Sequence, residues 1–124
     1  PLTADEAATL EALERFKQAM EFRRKLQRSF RRLGMSFAEW RVLEATYRLG
    51  RQMDEPASHL SVARELALGE SSVSRLMWQL SRRGLVSHDL DGLNWSWRVL
   101  MTDDNGELMS AAYAIAARAL TPET

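Results

Sequence analysis

The pattern of apolar and polar positions begins with one long helical segment. Over residues 3–33 apolar side chains recur at steps of three and four, with no proline or glycine inside, which predicts an amphipathic helix. These apolar residues are Leu10, Leu13, Phe16, Met20, Leu26, Phe30 and Leu33. At a rise of ~1.5 Å per residue the helix is roughly 45 Å long, more than a small domain is wide. Its apolar stripe therefore needs a second chain or another long helix as a partner.

A second helix follows directly. Ser36 and Glu39 have the spacing of a capping box, so a helix is predicted from there to about Gly50. Residues 51–57 then form a polar connection with room for a short strand around Met53. The residues that this helix is expected to bury are Trp40, Val42, Leu43 and Tyr47.

The next two helices are short and are joined by a tight turn. Ser58 caps the first, residues 67–69 form the turn, and the second runs from Glu70 to Arg83 before Gly84 ends it. The positions expected to be buried between them are Val62, Ala63, Leu66, Leu68, Val73 and Leu76. This arrangement is typical of a helix-turn-helix.

After this pair the apolar period changes from helical to two. Residues 85–88 and 95–101 are predicted strands joined by a turn at 89–94, which makes a β-hairpin. Thr102 then caps a last helix over 103–120, where Asp103 and Asp104 suit the positive end of the helix dipole.

These elements together predict a mainly α (α+β) fold in one domain, residues 1–124. Residues 36–102 form a winged helix-turn-helix with a small β-hairpin wing. The terminal helices 3–33 and 103–120 flank this unit, and we expect them to form the interface of a homodimer.

Composition narrows the function classes. The chain has 124 residues, no cysteine and two histidines, so disulfides, thiol nucleophiles and zinc ribbons are excluded. His59 and His88 are too few for a multi-histidine metal site and are expected at the surface. No apolar run approaches the ~18 residues of a membrane span, and no catalytic grouping has an interpretable spacing. We expect a cytoplasmic protein that is not an enzyme and needs neither cofactor nor metal nor membrane.

Charge is distributed unevenly, although 17 basic residues balance 17 acidic ones. Between residues 15 and 33 the only acid is Glu21, and the bases there are Arg15, Lys17, Arg23, Arg24, Lys25, Arg28, Arg31 and Arg32. Such a block is either a surface for nucleic acid or an acidic partner, or a solvated helix face.

The outward face of the helix from Glu70 to Arg83 is the best candidate for DNA contact. It carries Ser71, Ser72, Ser74, Arg75, Trp78, Gln79 and Arg82. Serines are poor interior helix residues, and small hydroxyl side chains can approach phosphates and base edges. Arg75 is long enough to reach a guanine or a phosphate. The alternative is an ordinary amphipathic helix whose outer face is exposed to solvent and contacts no DNA.

Three stretches resemble a known family: residues 35–45 (MSFAEWRVLEA), 71–86 (SSVSRLMWQLSRRGLV) and 100–106 (LMTDDNG). Over about residues 36–109 the sequence is similar to the MarR family of bacterial transcriptional regulators. The resemblance implies a homodimer that places two recognition helices in successive major grooves of a palindromic operator, as a repressor. The residues that correspond to the family's DNA contacts are Ser71, Ser72, Ser74, Arg75 and Gln79, and Arg82 and Arg98 are the remaining cations of this region.

The wing departs from the family pattern. Its tip holds Asp91 and no basic residue, and an acidic tip is repelled by phosphate. The alternative function is therefore a winged-helix module for protein interaction or regulation that has lost DNA binding. Trp95 and Trp97 share a strand face with Val99, which either covers the core or is a partly exposed surface for a partner or ligand.

The resemblance also directs attention to the junction between the terminal helices and the winged unit. Any small-molecule effector is expected to be aromatic or apolar and to bind near Phe30, Trp40 and Tyr47. The alternative is that these three aromatic residues are plain core.

Overall fold

The winged helix-turn-helix predicted from the sequence is confirmed in the computed structural model, which describes residues 1–31, 33–91, 96–101 and 105–120. The helices in this part of the chain are α1 (Ala4–Arg31), α2 (Phe37–Met53), α3 (His59–Leu66), α4 (Glu70–Arg82) and α5 (Asn105–Leu120). The strands are β1 (Ala57–Ser58), β2 (Val86–Asp91) and β3 (Ser96–Met101). None of the helices described has both the length and the apolar character that crossing a membrane requires.

The sheet is a hairpin with one short strand added. β3 lies between β1 and β2 and is antiparallel to both, with Leu90 opposite Trp97 and Ala57 opposite Val99. The strand expected around Met53 is therefore misplaced. Helix α2 continues through Gly50 to Met53, because the residues after the glycine are good helix formers, and it ends where Asp54 turns into the left-handed region.

The core lies between α2, the helix-turn-helix and the inner end of the sheet. Its fully buried side chains include Leu43, Val62, Val73 and Met77. The prediction that Leu68 is buried is wrong, since 40% of it is exposed. It follows Ala67 in the turn and so lies outside the buried stripes of both neighbouring helices.

The start of α2 is held by the predicted capping box. Ser36 Oγ accepts a hydrogen bond from the Glu39 amide at 3.1 Å, and Glu39 Oε1 accepts one from the Ser36 amide at 3.2 Å. Arg83 Nη1 donates to Glu39 Oε2 at 2.6 Å, which links the end of α4 to this cap. Burial opposes ionisation of Glu39, but the bonds from Ser36 and Arg83 prevail and lower its pKa.

The turn between α3 and α4 depends on Ala67. This residue has φ 53° and ψ 43°, in the left-handed region, and its amide closes α3 on the carbonyl oxygens of Ala63 and Arg64. The chain then enters α4 at Gly69, which has no capping side chain.

The two terminal helices contact each other, and α1 extends beyond the rest of the fold. Leu26 and Phe30 near its end are fully buried, whereas Leu13 is 56% and Phe16 64% exposed. Helix α5 packs against α1 and buries Met109 and Ala112. Helices are therefore present at both predicted positions, as α1 and α5, and the predicted Thr102 cap lies, with residues 103–104, outside the described residues.

Candidate nucleic-acid interface

Helix α4 separates a buried face from an exposed one. Val73, Leu76, Met77 and Leu80 point into the core. The helical period therefore places Ser71, Ser72, Arg75 and Arg82 on the outside, where all four are exposed, and Gln79 is half-buried beside them. Among the described residues this face combines hydroxyl groups with two cations, which is the chemistry that contacts phosphates and base edges.

Ser74 has a different environment from the other predicted contact residues. It is half-buried, and its Oγ lies 2.8 Å from Nδ1 of His59. The hydroxyl is thus engaged with α3 inside the protein.

The expectation that both histidines are surface residues is wrong. His59 is 7% exposed, and its Nε2 lies 2.8 Å from Nε2 of His88 on β2. Pairing of β1 with β3 brings the first residue of α3 against the hairpin, so the two rings meet across 29 positions of sequence. Neither the helical nor the strand period carries a signal for this contact.

Two tryptophans complete a cluster around the histidine pair. Trp78 of α4 stacks on His88 with 3.7 Å between ring centroids and 15° between planes. Trp97 of β3 meets Trp78 edge-on at 5.3 Å. We call His59, Trp78, His88 and Trp97 the imidazole–indole cluster. It ties the wing to both helices of the helix-turn-helix.

The tryptophan face of the wing combines the two alternatives left open by the sequence. Val99 at its inner end is buried, and Met101 is half-buried over the core. Trp97 at its outer end is 42% exposed, and Trp78 beside it is 38% exposed. Trp95 lies outside the described residues, as does the tip at 92–95.

Burial sets the charge state of the histidine pair. Desolvation lowers the pKa of His59, against a smaller opposing effect of Glu70. Desolvation also lowers the pKa of His88, and the neighbouring His59 lowers it further. Both imidazoles are therefore neutral at pH 7.

The cation on the wing is already paired. Arg98 on β3 lies opposite Asp89 on β2, and its Nη2 donates a hydrogen bond to the Asp89 carboxylate. Its Nε is buried without a partner among the described residues. The Asp89 carboxylate would therefore compete with a DNA phosphate for this guanidinium group.

The basic block follows the second half of α1. Arg23, Arg24, Arg28 and Arg31 are exposed there, and Arg32 lies outside the described residues. The guanidinium of Arg23 lies 5.3 Å from the centre of the Phe37 ring at the start of α2. The block therefore adjoins the winged unit.

The three residues predicted near an effector are only partly brought together. Phe30 and Trp40 stack with 4.8 Å between centroids, and Trp40 Nε1 is buried without a partner in the described part of the chain. Tyr47 instead faces Tyr113 of α5 at 6.1 Å and accepts a hydrogen bond from Arg51. Neither Phe30 nor Trp40 lines the nearby cleft of about 390 Å³, but Phe37 does, and its ring centroid lies 6.0 Å from that of Trp40. The other lining residues are Gln27, Arg31, Gly34, Met35 and Ser36.

No protein-family model matches the sequence, and no curated protein matches it either. Solved structures do match. A MarR-family transcriptional regulator from Rhodococcus sp. RHA1 has a TM-score of 0.77 at 20% identity, covering 94% of this chain and 79% of its own. Reduced AbfR bound to DNA has a TM-score of 0.74 at 15% identity, with 94% and 80% covered. This chain has the MarR fold.

A further structure with the MarR fold was determined with a ligand. CouR from Rhodococcus jostii RHA1, bound to p-coumaroyl-CoA, has a TM-score of 0.71 at 21% identity, covering 87% of this chain and 72% of its own. At these identities the likeness establishes the architecture, and function must be argued from the residues above.

Proposed function

We propose that this protein is a DNA-binding transcriptional regulator of the MarR family, a repressor that acts as a homodimer on a palindromic operator. The observation that carries the proposal is the exposed face of α4, where Arg75 and Arg82 stand beside Ser71 and Ser72 in a fold that AbfR uses while bound to DNA. In this role the protein works in the cytoplasm of a bacterial cell and catalyses no reaction.

The contact residues divide by what they can reach. Arg75 in the middle of the exposed face is suited to a guanine edge, and Ser71, Ser72 and Gln79 are suited to phosphates or bases around it. Arg82 at the end of α4 and Arg98 on the wing are proposed to contact DNA phosphates, and Arg98 would have to exchange its ion pair with Asp89 to do so. Ser74 positions His59 and contributes indirectly.

The homodimer rests on the apolar stripe of α1. Leu10, Leu13 and Phe16 are each at least half exposed, on a helix whose residues 4–21 are all exposed. A second copy would cover this stripe with its own, and a two-fold axis would set two α4 helices ~34 Å apart, one turn of DNA.

An effector, if the regulator has one, is proposed to be aromatic or apolar. The support is the Phe30–Trp40 stack and the nearby cleft, together with the p-coumaroyl-CoA found on CouR. Tyr47 lies two turns further along α2 and contacts Tyr113, so we place it at the margin of this site.

One observation favours the alternative function, a protein-interaction module. The wing cation is paired with Asp89, and two tryptophans are exposed where DNA would lie. Large exposed aromatic residues are typical of protein interfaces.

Fluorescence anisotropy with DNA fragments tests the proposal. Fragments are first selected from the source genome with the wild-type protein and then compared with random duplexes. We expect tighter binding to selected fragments and a steep decrease with salt. Equal affinity for both classes, or no binding at 50 mM salt, would favour the protein-interaction module.

A further inference from the structure

The imidazole–indole cluster connects three parts of the molecule. His59 is the first residue of α3, Trp78 lies on α4, and His88 and Trp97 lie on the wing. A change within the cluster would therefore alter how the wing is held against the recognition helix.

The geometry of the two imidazoles fits a shared proton. Their centroids are 5.0 Å apart and the Nε2 atoms 2.8 Å apart, so the two nitrogens point at each other along nearly one line. A chelated zinc ion would need both lone pairs to converge on a third point, with the nitrogens about 3.4 Å apart. In the described chain no three potential ligand residues are grouped as a metal site would need.

The hydrogen-bond donors and acceptors around the two rings select one arrangement of the imidazole protons. His88 Nδ1 is buried and has no partner among the described residues. The arrangement that leaves no N–H unpaired therefore has His88 Nε2–H donating to His59 Nε2 and His59 Nδ1–H donating to Ser74 Oγ. The remaining lone pair of His88 Nδ1 is the only unsatisfied position of the pair.

Any added proton breaks this arrangement. On His59 Nε2 it would face the hydrogen that His88 already presents, and the bond between the rings would be lost. On His88 Nδ1 it would create a buried N–H without an acceptor. The pair thus keeps both hydrogen bonds and leaves no buried N–H unpaired only while both rings are neutral.

Few charged groups near the pair oppose this effect. On α4, Glu70 acts on His59 and favours its charged form, while Arg75 is an exposed cation. On the wing, Asp89 and Arg98 lie on the opposite face of the hairpin and pair with each other. β1 carries no charge, and Arg64 and Glu65 lie at the other end of α3.

We propose that His59 and His88 form a proton-operated latch between the wing and the helix-turn-helix, closed when both rings are neutral and opened by protonation. Opening unstacks His88 from Trp78 and releases the wing from α4. A mildly acidic environment would thereby become an input to the regulator. The effect on DNA rests on the proposed function, whereas the latch itself is testable without DNA.

The first experiment follows the free protein from pH 7.5 to 5.5. The chain has two histidines, so every imidazole NMR signal belongs to the pair. We expect both rings to titrate below pH 6.5 and tryptophan emission to change over the same range. We also expect the protection factors of the β2 and β3 amides to decrease, once the slower intrinsic exchange at lower pH is corrected for.

Two variants identify the source of these changes. His88→Phe keeps a ring on Trp78 but removes the shared proton, so we expect its wing protection to be independent of pH over this range. Trp78→Phe should lose the emission change and keep the imidazole titration. Wing protection that decreases equally in the wild type and in His88→Phe would overturn the proposal. So would binding of one Zn²⁺ per chain by both imidazoles at pH 7.5.

A DNA titration then tests the regulatory effect. On selected fragments we expect wild-type affinity to fall ~10-fold between pH 7.5 and 5.5, within the usual range of allosteric coupling, and the affinity of His88→Phe to stay constant. A wild-type affinity that rises would mean that the new charges simply attract phosphate, and it would overturn the regulatory role. Absence of DNA binding at every pH would refute the proposed function while the NMR result still decides the latch.

Discussion

At the scale of single residues, Arg75 is the side chain that we propose to distinguish base pairs. Arg75→Ala is expected to weaken binding to selected fragments by ~1–3 kcal/mol and to relax sequence preference, because it removes a contact to base edges. Competition titrations against fragments with single base changes measure this. Arg64→Ala removes an exposed cation from α3 and is the matched control, for which preference should be unchanged. An Arg75→Ala protein with intact preference would exclude Arg75 from base contact.

Ser36 contributes to stability by capping the start of α2. Ser36→Ala removes the side chain that accepts from the Glu39 amide, so we expect the free energy of unfolding to fall by ~1 kcal/mol in urea titrations. Ser110→Ala, at an exposed position within α5, should be neutral or slightly stabilising. Equal effects of the two substitutions would show that the cap contributes nothing.

Local and non-local features differ in how far the sequence predicts them. The bond between Ser36 and Glu39 spans three residues, and the exposure of Arg75 follows from the helical period, so both could be predicted. The contact of His59 with His88 depends on strand register and on how α3 meets the sheet. Since neither is encoded by periodicity, the centre of the cluster escaped prediction.

At the scale of elements, the guanidinium group of Arg98 on the wing is held in an ion pair with Asp89. Asp89→Asn keeps the shape of the side chain but frees Arg98 from its ion pair. We expect DNA affinity to rise and the salt dependence to steepen by about one counterion, because one more cation can meet a phosphate. Titrations at several salt concentrations measure the slope. Glu55→Gln, which neutralises an exposed acid before β1, is the control.

The comparison variant for the wing is Arg98→Ala. If the freed guanidinium reaches DNA, the double variant Asp89→Asn/Arg98→Ala returns to the slope of Arg98→Ala alone. An unchanged slope in Asp89→Asn would place the wing away from the phosphates.

The exposed apolar stripe of helix α1 leads to a prediction about the dimer. Leu13→Ser/Phe16→Ser should dissociate the proposed dimer at low micromolar concentration, because it removes the apolar stripe that a second copy would cover. Sedimentation measures this, with Arg15→Ser/Lys17→Ser on the polar positions as control. A wild-type protein that sediments as a folded monomer would itself refute the dimer.

The boundaries of the elements are predicted less accurately than their order and type. Gly50 does not end α2 as predicted, because one glycine costs only ~1 kcal/mol inside a helix and the following residues favour helix. The strand beside it moved to Ala57 because pairing with Val99, and not local preference, defines so short an element. The order and type of the long elements were predictable because each carries several apolar periods.

At the scale of the whole molecule, the histidine pair links stability to pH. Both folded pKa values lie below the ordinary 6.5, so between them and 6.5 the unfolded chain binds more protons than the folded one. The contribution of the pair to the free energy of unfolding should be complete above pH 6.5. It should decrease as the pH falls from 6.5 toward the pKa values of the folded protein. Urea titrations at pH 7.5, 6.5 and 5.5 measure the decrease.

His88→Phe is expected to flatten this dependence, since it removes one titrating ring and the repulsion on the other. Glu39 acts in a separate window: its lowered pKa contributes stability that is lost only as pH falls below the ordinary 4.5. A wild-type stability that is constant from pH 7.5 to 5.5 would contradict the buried, neutral pair.

The left-handed alanine between α3 and α4 has a consequence for rigidity. An L-residue in this conformation costs ~1–2 kcal/mol, and glycine would avoid that cost. Glycine would also widen the range of backbone angles in the unfolded chain and allow the turn to hinge. Alanine at position 67 therefore carries local strain but leaves the turn fewer accessible backbone conformations than glycine would, which restricts changes in the angle between α3 and α4.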